Sequence, residues 1–388
     1  MLKRMYVLGF LLLLTGKMLA QQAPEEEGGA IEQTLQEWYE KDQAFDFFVH
    51  LHNSANVYFQ QHSYSETHFK TDQLRLELKG EMGQGIFYTV NHRLNSSTRA
   101  AGMDNLSRAT DVAMVRFAVS PHLFVTAGKQ CLAFGGYEFD QYPIDVYAYS
   151  DLVYHMESFL TGIEVGAKWE RQIFKFQVVN SRTDYATEIY ENLPAGVEKS
   201  KNPLGATIAW NGSIADGKVQ TRWSYSVFEE AKKNYMHYWA FGTQWQLAHR
   251  IQIQTDVMFS NEDLDRKGLA TALINPPDVF NQVATDVTYH SYVVKTNMLL
   301  TDKLNFFVKG MHEQLFMPGE DRFASRKVRT SIGYLGGLEY FPATGLKLFA
   351  VYVGRDYSFA HELNGRPDTQ VTHTDQITLG LIYLLQMF

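Results

Sequence analysis

Apolar and polar residues alternate with a period of two along most of the chain. In the segment "TDQLRLELKG", Leu74, Leu76 and Leu78 alternate with polar or charged residues. The same pattern recurs in "GIFYTVNHRLN", "VQTRWSYSVF" and "RIQIQTDVMF". Successive side chains of a β-strand point to opposite faces, so this period predicts strands with one apolar and one polar face. The chain is therefore predicted to be all-β.

The alternating segments number sixteen, and short turns alternate with mostly longer polar loops between them. The predicted strands are 45–60, 66–79, 84–95, 110–119, 122–131, 159–169, 173–181, 204–212, 218–229, 235–248, 250–260, 284–300, 304–316, 327–341, 345–356 and 373–387. The predicted long loops are 96–109, 132–158, 182–203, 261–283, 317–326 and 357–372, whereas 61–65 and 230–234 are short. This arrangement is typical of an antiparallel transmembrane β-barrel with short periplasmic turns and longer extracellular loops.

A secreted β-sandwich, for example a carbohydrate-binding one, is the main alternative, because its strands also alternate. Two features favour the barrel. Many predicted strands exceed the roughly five or six residues typical of globular sheets. Aromatic clusters such as "NYMHYW" and "TYHSYVV" also lie near strand ends, as expected for interfacial girdles.

The last segment, "DQITLGLIYLLQMF", is explained by a closed sheet. In a bilayer every backbone amide must be paired within the protein, so the last strand has to pair with the first. One row of this strand is predicted to face lipid: Ile377, Leu379, Leu381, Tyr383, Leu385 and Met387. Phe388 is predicted to lie at the periplasmic interface, where aromatic rings are favoured.

The N-terminal stretch "MLKRMYVLGFLLLLTGKMLA" has the composition of a secretory signal peptide, predicted to be residues 1–20. Residues 21–43 form an acidic segment in which Ile31, Leu35 and Trp38 fit one short helix. The barrel is predicted to occupy residues 44–388. The net charge of −8 argues against a nucleic-acid partner. The single cysteine, Cys131, excludes an intramolecular disulfide and a cysteine-based zinc site.

The segments "GKQCLAFGGYEFDQYPIDVYAYSD" (128–151) and "FQVVNSRTDY" resemble the phosphate-selective porins O and P. The C-terminal strand is similar to that of outer-membrane porins. The resemblance covers about residues 45–388. It implies a sixteen-stranded barrel in the outer membrane, in contact with lipid, that lets small hydrophilic solutes or ions diffuse through a water-filled lumen. It also implies a homotrimer without cofactors.

In the porins that this chain resembles, the third long loop folds into the barrel and narrows it. Here that loop is residues 132–158, and its acidic residues are Glu138, Asp140, Asp145, Asp151 and Glu157. Carboxylates at a constriction favour cations. Phosphate-selective relatives carry arginines and lysines there, but no Lys or Arg occurs between Lys129 and Lys168. Two alternatives stay open: a solvated extracellular loop, and a calcium site whose spacing matches no EF-hand.

Basic residues on the polar faces are predicted to point into the lumen: Arg75, Arg93, Arg116, Arg222, Arg250, Lys309 and Arg329. They either set up a transverse field opposite the acidic loop or solvate a wide channel. Common hydrolase and nucleotide-binding motifs are absent, so no enzyme is predicted. A barrel hydrolase with Ser and His on adjacent strands remains an alternative. His50 and His52 are interpreted as a lumen or rim pair rather than a metal site.

Overall fold

A computed structural model describes residues 45–98, 102–184, 190, 193–275, 282–318, 326–363 and 369–387. The predicted signal peptide, the acidic segment 21–43 and Phe388 lie outside these residues, and what was expected of them stays a prediction. Within the described part of the chain, no helix is long and apolar enough to cross a membrane.

Sixteen strands dominate the described residues, as the alternation predicts. They are β1 (Phe45–Gln60), β2 (Ser63–Glu81), β3 (Ile86–Arg93), β4 (Thr110–Ser120), β5 (Leu123–Cys131), β6 (Phe159–Trp169), β7 (Gln172–Asn180), β8 (Leu204–Ile214), β9 (Val219–Ala231), β10 (Asn234–Ala248), β11 (Ile251–Leu264), β12 (Thr285–Thr301), β13 (Leu304–Phe316), β14 (Lys327–Ala343), β15 (Leu346–Phe359) and β16 (His373–Gln386). Three short helices lie in the connections: α1 (Tyr137–Asp140), α2 (Asp151–Tyr154) and α3 (Leu269–Ile274). Pro143–Asp145 and His361–Leu363 form 3₁₀ turns.

The strands form one closed antiparallel barrel. Each strand pairs with its neighbour in the sequence, and β1 pairs with β16, for example Val57 with Ile377. Closure leaves no sheet edge along this seam, which is the condition that hydrocarbon imposes on a β structure. A single closed sheet also excludes the β-sandwich, which requires two packed sheets. The predicted fold is confirmed.

Side chains divide between the two faces of the barrel as the sequence predicts. On β2, Arg75 and Glu77 are buried on the inner face, and Leu76 between them points outward. On β16 the predicted outward row is confirmed, with Ile377 and Leu379 exposed and Thr378 between them buried. Since the outer rows are apolar and the inner rows largely polar, the wall is suited to lipid outside and water inside.

The strand β11 extends to Leu264, beyond its predicted end at 260, and a second boundary difference is at the first hairpin. Residues 61–65 were expected to form a loop, but β2 begins at Ser63, so the turn consists of Gln61 and His62 alone. Both turn residues have positive φ, 50° and 62°. These angles match the two-residue turns whose twist suits a hairpin.

A charged side chain on the outer face should destabilise the barrel strongly. Ile208 on β8 is 56% exposed on that face. We expect Ile208→Arg to lower the free energy of unfolding by about 2–4 kcal/mol, the usual effect of arginine near the bilayer midplane. Urea unfolding in lipid vesicles measures this change. The matched control is Asn211→Arg on the inner face of the same strand, which should cost much less; equal losses would contradict the assignment of faces.

Candidate functional site

Residues 132–158, between β5 and β6, cross the interior of the barrel. The loop starts where the backbone N–H of Leu132 donates to the carbonyl of Ser158, at 3.0 Å. It contains α1, the first 3₁₀ turn and α2. Its contacts reach the inner faces of strands on opposite sides of the barrel, from β2 and β3 to β11.

Apolar packing against one side of the wall holds the first part of the loop. Phe134 lies with its ring centroid 5.4 Å from that of Phe228 on β9 and 5.1 Å from that of Tyr238 on β10. Phe139 packs on Phe134 at 5.3 Å. Burying these aromatic rings removes apolar surface from water on both the loop and the wall. The inner wall is therefore not uniformly polar, and the loop covers its apolar part.

Glycines let the loop backbone touch the wall. Gly136 has φ of 84°, which favours glycine. A Cβ added to Gly242 on β10 would lie 2.7 Å from the Cα of Gly136. A side chain at Gly242 would therefore separate the loop from β10, and a Cβ added to Gly135 would lie 2.8 Å from the carbonyl oxygen of Arg222 on β9. The pair "GG" in the loop sequence is thus explained by close approach of two backbone segments.

Two wall carboxylates bind the first backbone N–H groups of the loop helices. The carboxylate of Asp256 on β11 accepts from the N–H groups of Tyr137 and Glu138, at 2.6 and 2.8 Å. Glu313 on β13 accepts from those of Asp151 and Leu152, at 2.8 and 3.0 Å. The first N–H groups of a helix have no partner within it, so carboxylates there satisfy donors that would otherwise be buried unpaired.

Each of the five predicted loop carboxylates forms an ion pair with a cation outside the loop. The pairs are Glu138 with Lys309, Asp140 with Arg222 at 3.3 Å, Asp145 with Lys347, Asp151 with Arg329 at 2.7 Å and with Arg355, and Glu157 with Arg266. The carboxylates thus contribute to fixing the loop. Pairing also weakens the field that each presents to an ion in the lumen.

The predicted lumen cations fall into three groups. Arg222, Lys309 and Arg329 hold the loop, as described above. The second group lies on β2–β6, across the lumen from the first. Arg75 and Arg93 both contact Asp111, at 2.8 and 3.1 Å, and Arg116 contacts Glu164 at 3.4 Å. Arg250 lies apart, in the turn before β11, where it binds Asp302 at 2.7 Å at the short-turn rim. Alternation extrapolated from β11 would place Arg250 in the inner row, but the residue precedes the strand.

Sequence reasoning missed Lys347, Arg355 and Arg266. On β15, the inner row between Lys347 and Arg355 contains Phe349 and Val351, while the outer row is also apolar. Alternation was therefore too weak there to assign a face. Arg266 lies in the loop after β11, where no period exists. Lys347 and Arg355 are an even number of residues apart on β15, and this spacing alone could have placed them on one face.

Two tyrosines extend the loop to other strands. Tyr142 donates to Glu77 on β2 at 2.6 Å, and Tyr147 donates to Glu339 on β14 at 2.8 Å. Burial raises the pKa of both phenols well above the ordinary value, so they remain neutral donors. Burial also raises the pKa of Asp145, an effect that the ammonium of Lys347 opposes. At the end of the loop, burial lowers the pKa of His155.

An open cavity of about 530 Å³ remains between the loop and the wall formed by β1–β8. Its charged lining residues are Asp72, Arg75, Glu77, Lys79, Arg93, Asp111, Arg116, Asp140, Glu164 and Lys175. Amide side chains such as Gln73 and Asn91 complete the polar lining. The loop therefore leaves an open space on the side of β1–β8, with both charged and apolar side chains in its lining.

Two further binding sites were considered from the sequence, a calcium site in the loop and the pair of His50 and His52. Asp140, Asp145 and Asp151 have separate cationic partners and do not converge on one point. His50 and His52 both lie on the inner face of β1, beside Glu77 and Asp72 respectively.

The family model described as "Phosphate-selective porin O and P" matches residues 49–385. The chain belongs to this family. It is therefore an outer-membrane porin, a channel rather than an enzyme. The family, the outer-membrane location and the absence of enzymatic function agree with the predictions from sequence. Among curated proteins, no sequence matches the porin significantly.

Solved outer-membrane proteins share the fold of the porin. The outer-membrane channel DcaP of Acinetobacter baumannii has a TM-score of 0.58 and 10% identity, covering 88% of this chain and 97% of that one. OmpT of Vibrio cholerae has a TM-score of 0.55 and 10% identity, covering 89% and 99%. The anion-selective porin from Comamonas acidovorans has a TM-score of 0.55 and 8% identity, covering 88% and 99%. At these identities the likeness concerns the fold alone.

Proposed function

We propose that residues 132–158 narrow the lumen and that small hydrophilic solutes pass between this loop and the wall of β1–β8. One observation carries the proposal: the loop is anchored inside the barrel and leaves an open cavity of about 530 Å³ on one side, with ten charged side chains in its lining. A fixed constriction beside an open space lined by charges of both signs selects solutes mainly by size.

Planar-bilayer recording and liposome swelling test this proposal together. We expect discrete conductance steps in the bilayer. In liposomes, the swelling rate should fall steeply as the sugar supplied becomes larger, because the constriction limits entry. A protein that inserts without producing steps, or swelling rates independent of sugar size, would contradict the proposed passage.

The charge preference of the passage is proposed to be weak. The phosphate selectivity in the family's name and the anion selectivity of the Comamonas porin point to anions, whereas the acidic loop led to a prediction of cation preference. The cavity is lined by five carboxylates and five basic side chains, so neither sign dominates. We expect a reversal potential well below the roughly 59 mV per tenfold salt gradient of an ideally selective pore.

Asp140 and Asp145 should differ in their effect on selectivity. Asp140 lines the cavity, whereas Asp145 is buried against Lys347 away from it. We expect Asp140→Asn to shift the reversal potential towards anions, because Arg222 loses its partner and the cavity loses a negative charge. The matched variant Asp145→Asn should leave the reversal potential unchanged. The reverse pattern would mean that the passage lies on the other side of the loop.

A homotrimer is proposed for the assembly. The support is that OmpT of Vibrio cholerae, which shares the fold, is described in a trimer form. Light scattering coupled to size-exclusion chromatography of the detergent complex measures the protein mass independently of detergent. A mass of one chain would contradict the proposal.

A further inference from the structure

Two histidines and one aspartate meet at the long-loop rim, where the barrel closes. His62 lies in the turn between β1 and β2, and His373 and Asp375 lie at the start of β16. Each offers one ligand atom, and these atoms all lie within 4.8 Å of one another. Nε2 of His373 is 2.6 Å from Oδ2 of Asp375, and Nδ1 of His62 is 4.0 Å from the same oxygen.

The turn is tied to β16 in a way that positions His62. The backbone N–H of Gln61 donates to the carbonyl of His373 at 3.0 Å. Its side-chain amide donates to the carbonyl of Gln370 at 2.7 Å. His62 has φ of 62°, where glycine or asparagine is usual in such turns. The two imidazole centroids are 4.0 Å apart. A strained backbone thus holds one histidine over the other.

Further side chains fix the orientation of the other two ligands. Nδ1 of His373 is 2.6 Å from Oδ1 of Asp356, and the Tyr352 hydroxyl donates to Oδ1 of Asp375. Metal-binding histidines usually donate their second ring N–H to a carboxylate, which sets the tautomer and the ring direction. With Nδ1 bonded to Asp356, Nε2 of His373 is the atom that points towards His62 and Asp375.

The chemistry of the three side chains suits a metal ion, as their positions do. The two ring nitrogens of His373 face the carboxylates of Asp356 and Asp375. A cation at Nε2 of His373 would also lie beside the negative charge of Asp375. Ligand atoms around a tetrahedral zinc ion lie about 3.3 Å apart, given Zn–N bonds of about 2.0–2.1 Å. The observed separations lie on either side of that value, and side-chain rotations adjust them.

We propose that His62, His373 and Asp375 bind one divalent first-row transition-metal ion such as Zn²⁺. Two imidazoles and one carboxylate suit this class, whereas Ca²⁺ and Mg²⁺ prefer all-oxygen sites. The His62 side chain is 78% exposed, so water completes the coordination. The ion links the β1–β2 turn to β16, next to the pairing of Gln60 with Thr374. The ion thereby cross-links the chain at the place where the first and last strands close the barrel.

Zinc titration of the untagged porin, extracted from outer membranes and stripped with a chelator, tests the site. By calorimetry at neutral pH we expect a single zinc ion per chain. His62→Ala should weaken binding by about tenfold or more, and Asp356→Asn by about 10–100-fold, the usual effect of removing an orienting carboxylate. The matched control is His68→Ala, which removes an imidazole from the same hairpin outside the cluster and should leave the affinity unchanged.

Several outcomes would overturn the site. They are an absence of zinc binding by the unaltered porin, an affinity unchanged in His62→Ala, and equal affinity for Mg²⁺. Because His62 is exposed in a turn, its replacement should keep the fold, which the mobility of unheated protein in SDS gels verifies. Binding should also weaken in acid, since protonated imidazole cannot bind a metal. Binding that is unaffected by acid would exclude histidine ligands.

Discussion

Removing residues 134–155 is expected to raise the single-channel conductance several-fold. The ends of the loop are already adjacent, because Leu132 and Ser158 are joined by a backbone hydrogen bond. A linker of about four Gly and Ser residues therefore suffices to connect β5 to β6. Conductance rises with the open cross-section, and this loop is the segment that crosses the lumen within the described residues.

The barrel itself should survive the deletion. Its strands are held by the continuous backbone pairing from β1 to β16. The cations that form ion pairs with the loop, such as Lys309 and Arg355, would face water in the widened lumen and be solvated. The apolar wall around Phe228 and Tyr238 would become wet, so some loss of stability is expected. Unheated SDS gels and circular dichroism check the fold.

A shorter deletion at the rim is the matched control. Ala195 and Gly196 are exposed, and a Cβ added to Gly196 would contact no other atom. Removing this pair should leave the conductance unchanged. If the long deletion also left conductance and the uptake of larger sugars unchanged, residues 132–158 would not form the constriction.

The wall could be predicted from sequence because its determinants are local. The faces of Leu74 and Arg75 follow from period two within a few residues, and the same rule holds for most of the other strands, β15 being weaker because both of its faces are largely apolar. The number of strands followed from counting such segments. Turn geometry was less accessible, since the two-residue turn at Gln61 and His62 contains neither glycine nor asparagine.

The contacts of the loop could not be predicted, because they join residues that are distant in sequence. Lys347 and Asp145 are 202 positions apart, and Arg355 and Asp151 are 204 apart. Spacing along the chain carries no information about such pairs. The composition of the loop indicated its acidity and its aromatic content. That its carboxylates would be paired with wall cations depends on the three-dimensional arrangement.

Replacing Lys347 by methionine should destabilise the porin and loosen the loop. Lys347 contacts both Asp145 and Glu339, and all three side chains are buried. Methionine keeps the approximate volume but leaves two buried carboxylates without their cation. Removing one partner of a buried ion pair costs about 3–5 kcal/mol. We expect a lower urea midpoint in vesicles and a noisier open-channel current.

Two further variants separate the ion pair from other effects of the substitution. Lys303→Met changes an exposed turn lysine and should alter neither the urea midpoint nor the current noise. The double variant Lys347→Met with Asp145→Asn lacks the unpaired charge of Asp145. In it Glu339 keeps the hydrogen bonds from Tyr147 and Asn305, both at 2.8 Å. Part of the lost stability should therefore return. If Lys347→Met alone kept the midpoint and the quiet current, the ion pairs would not be what holds the loop in place.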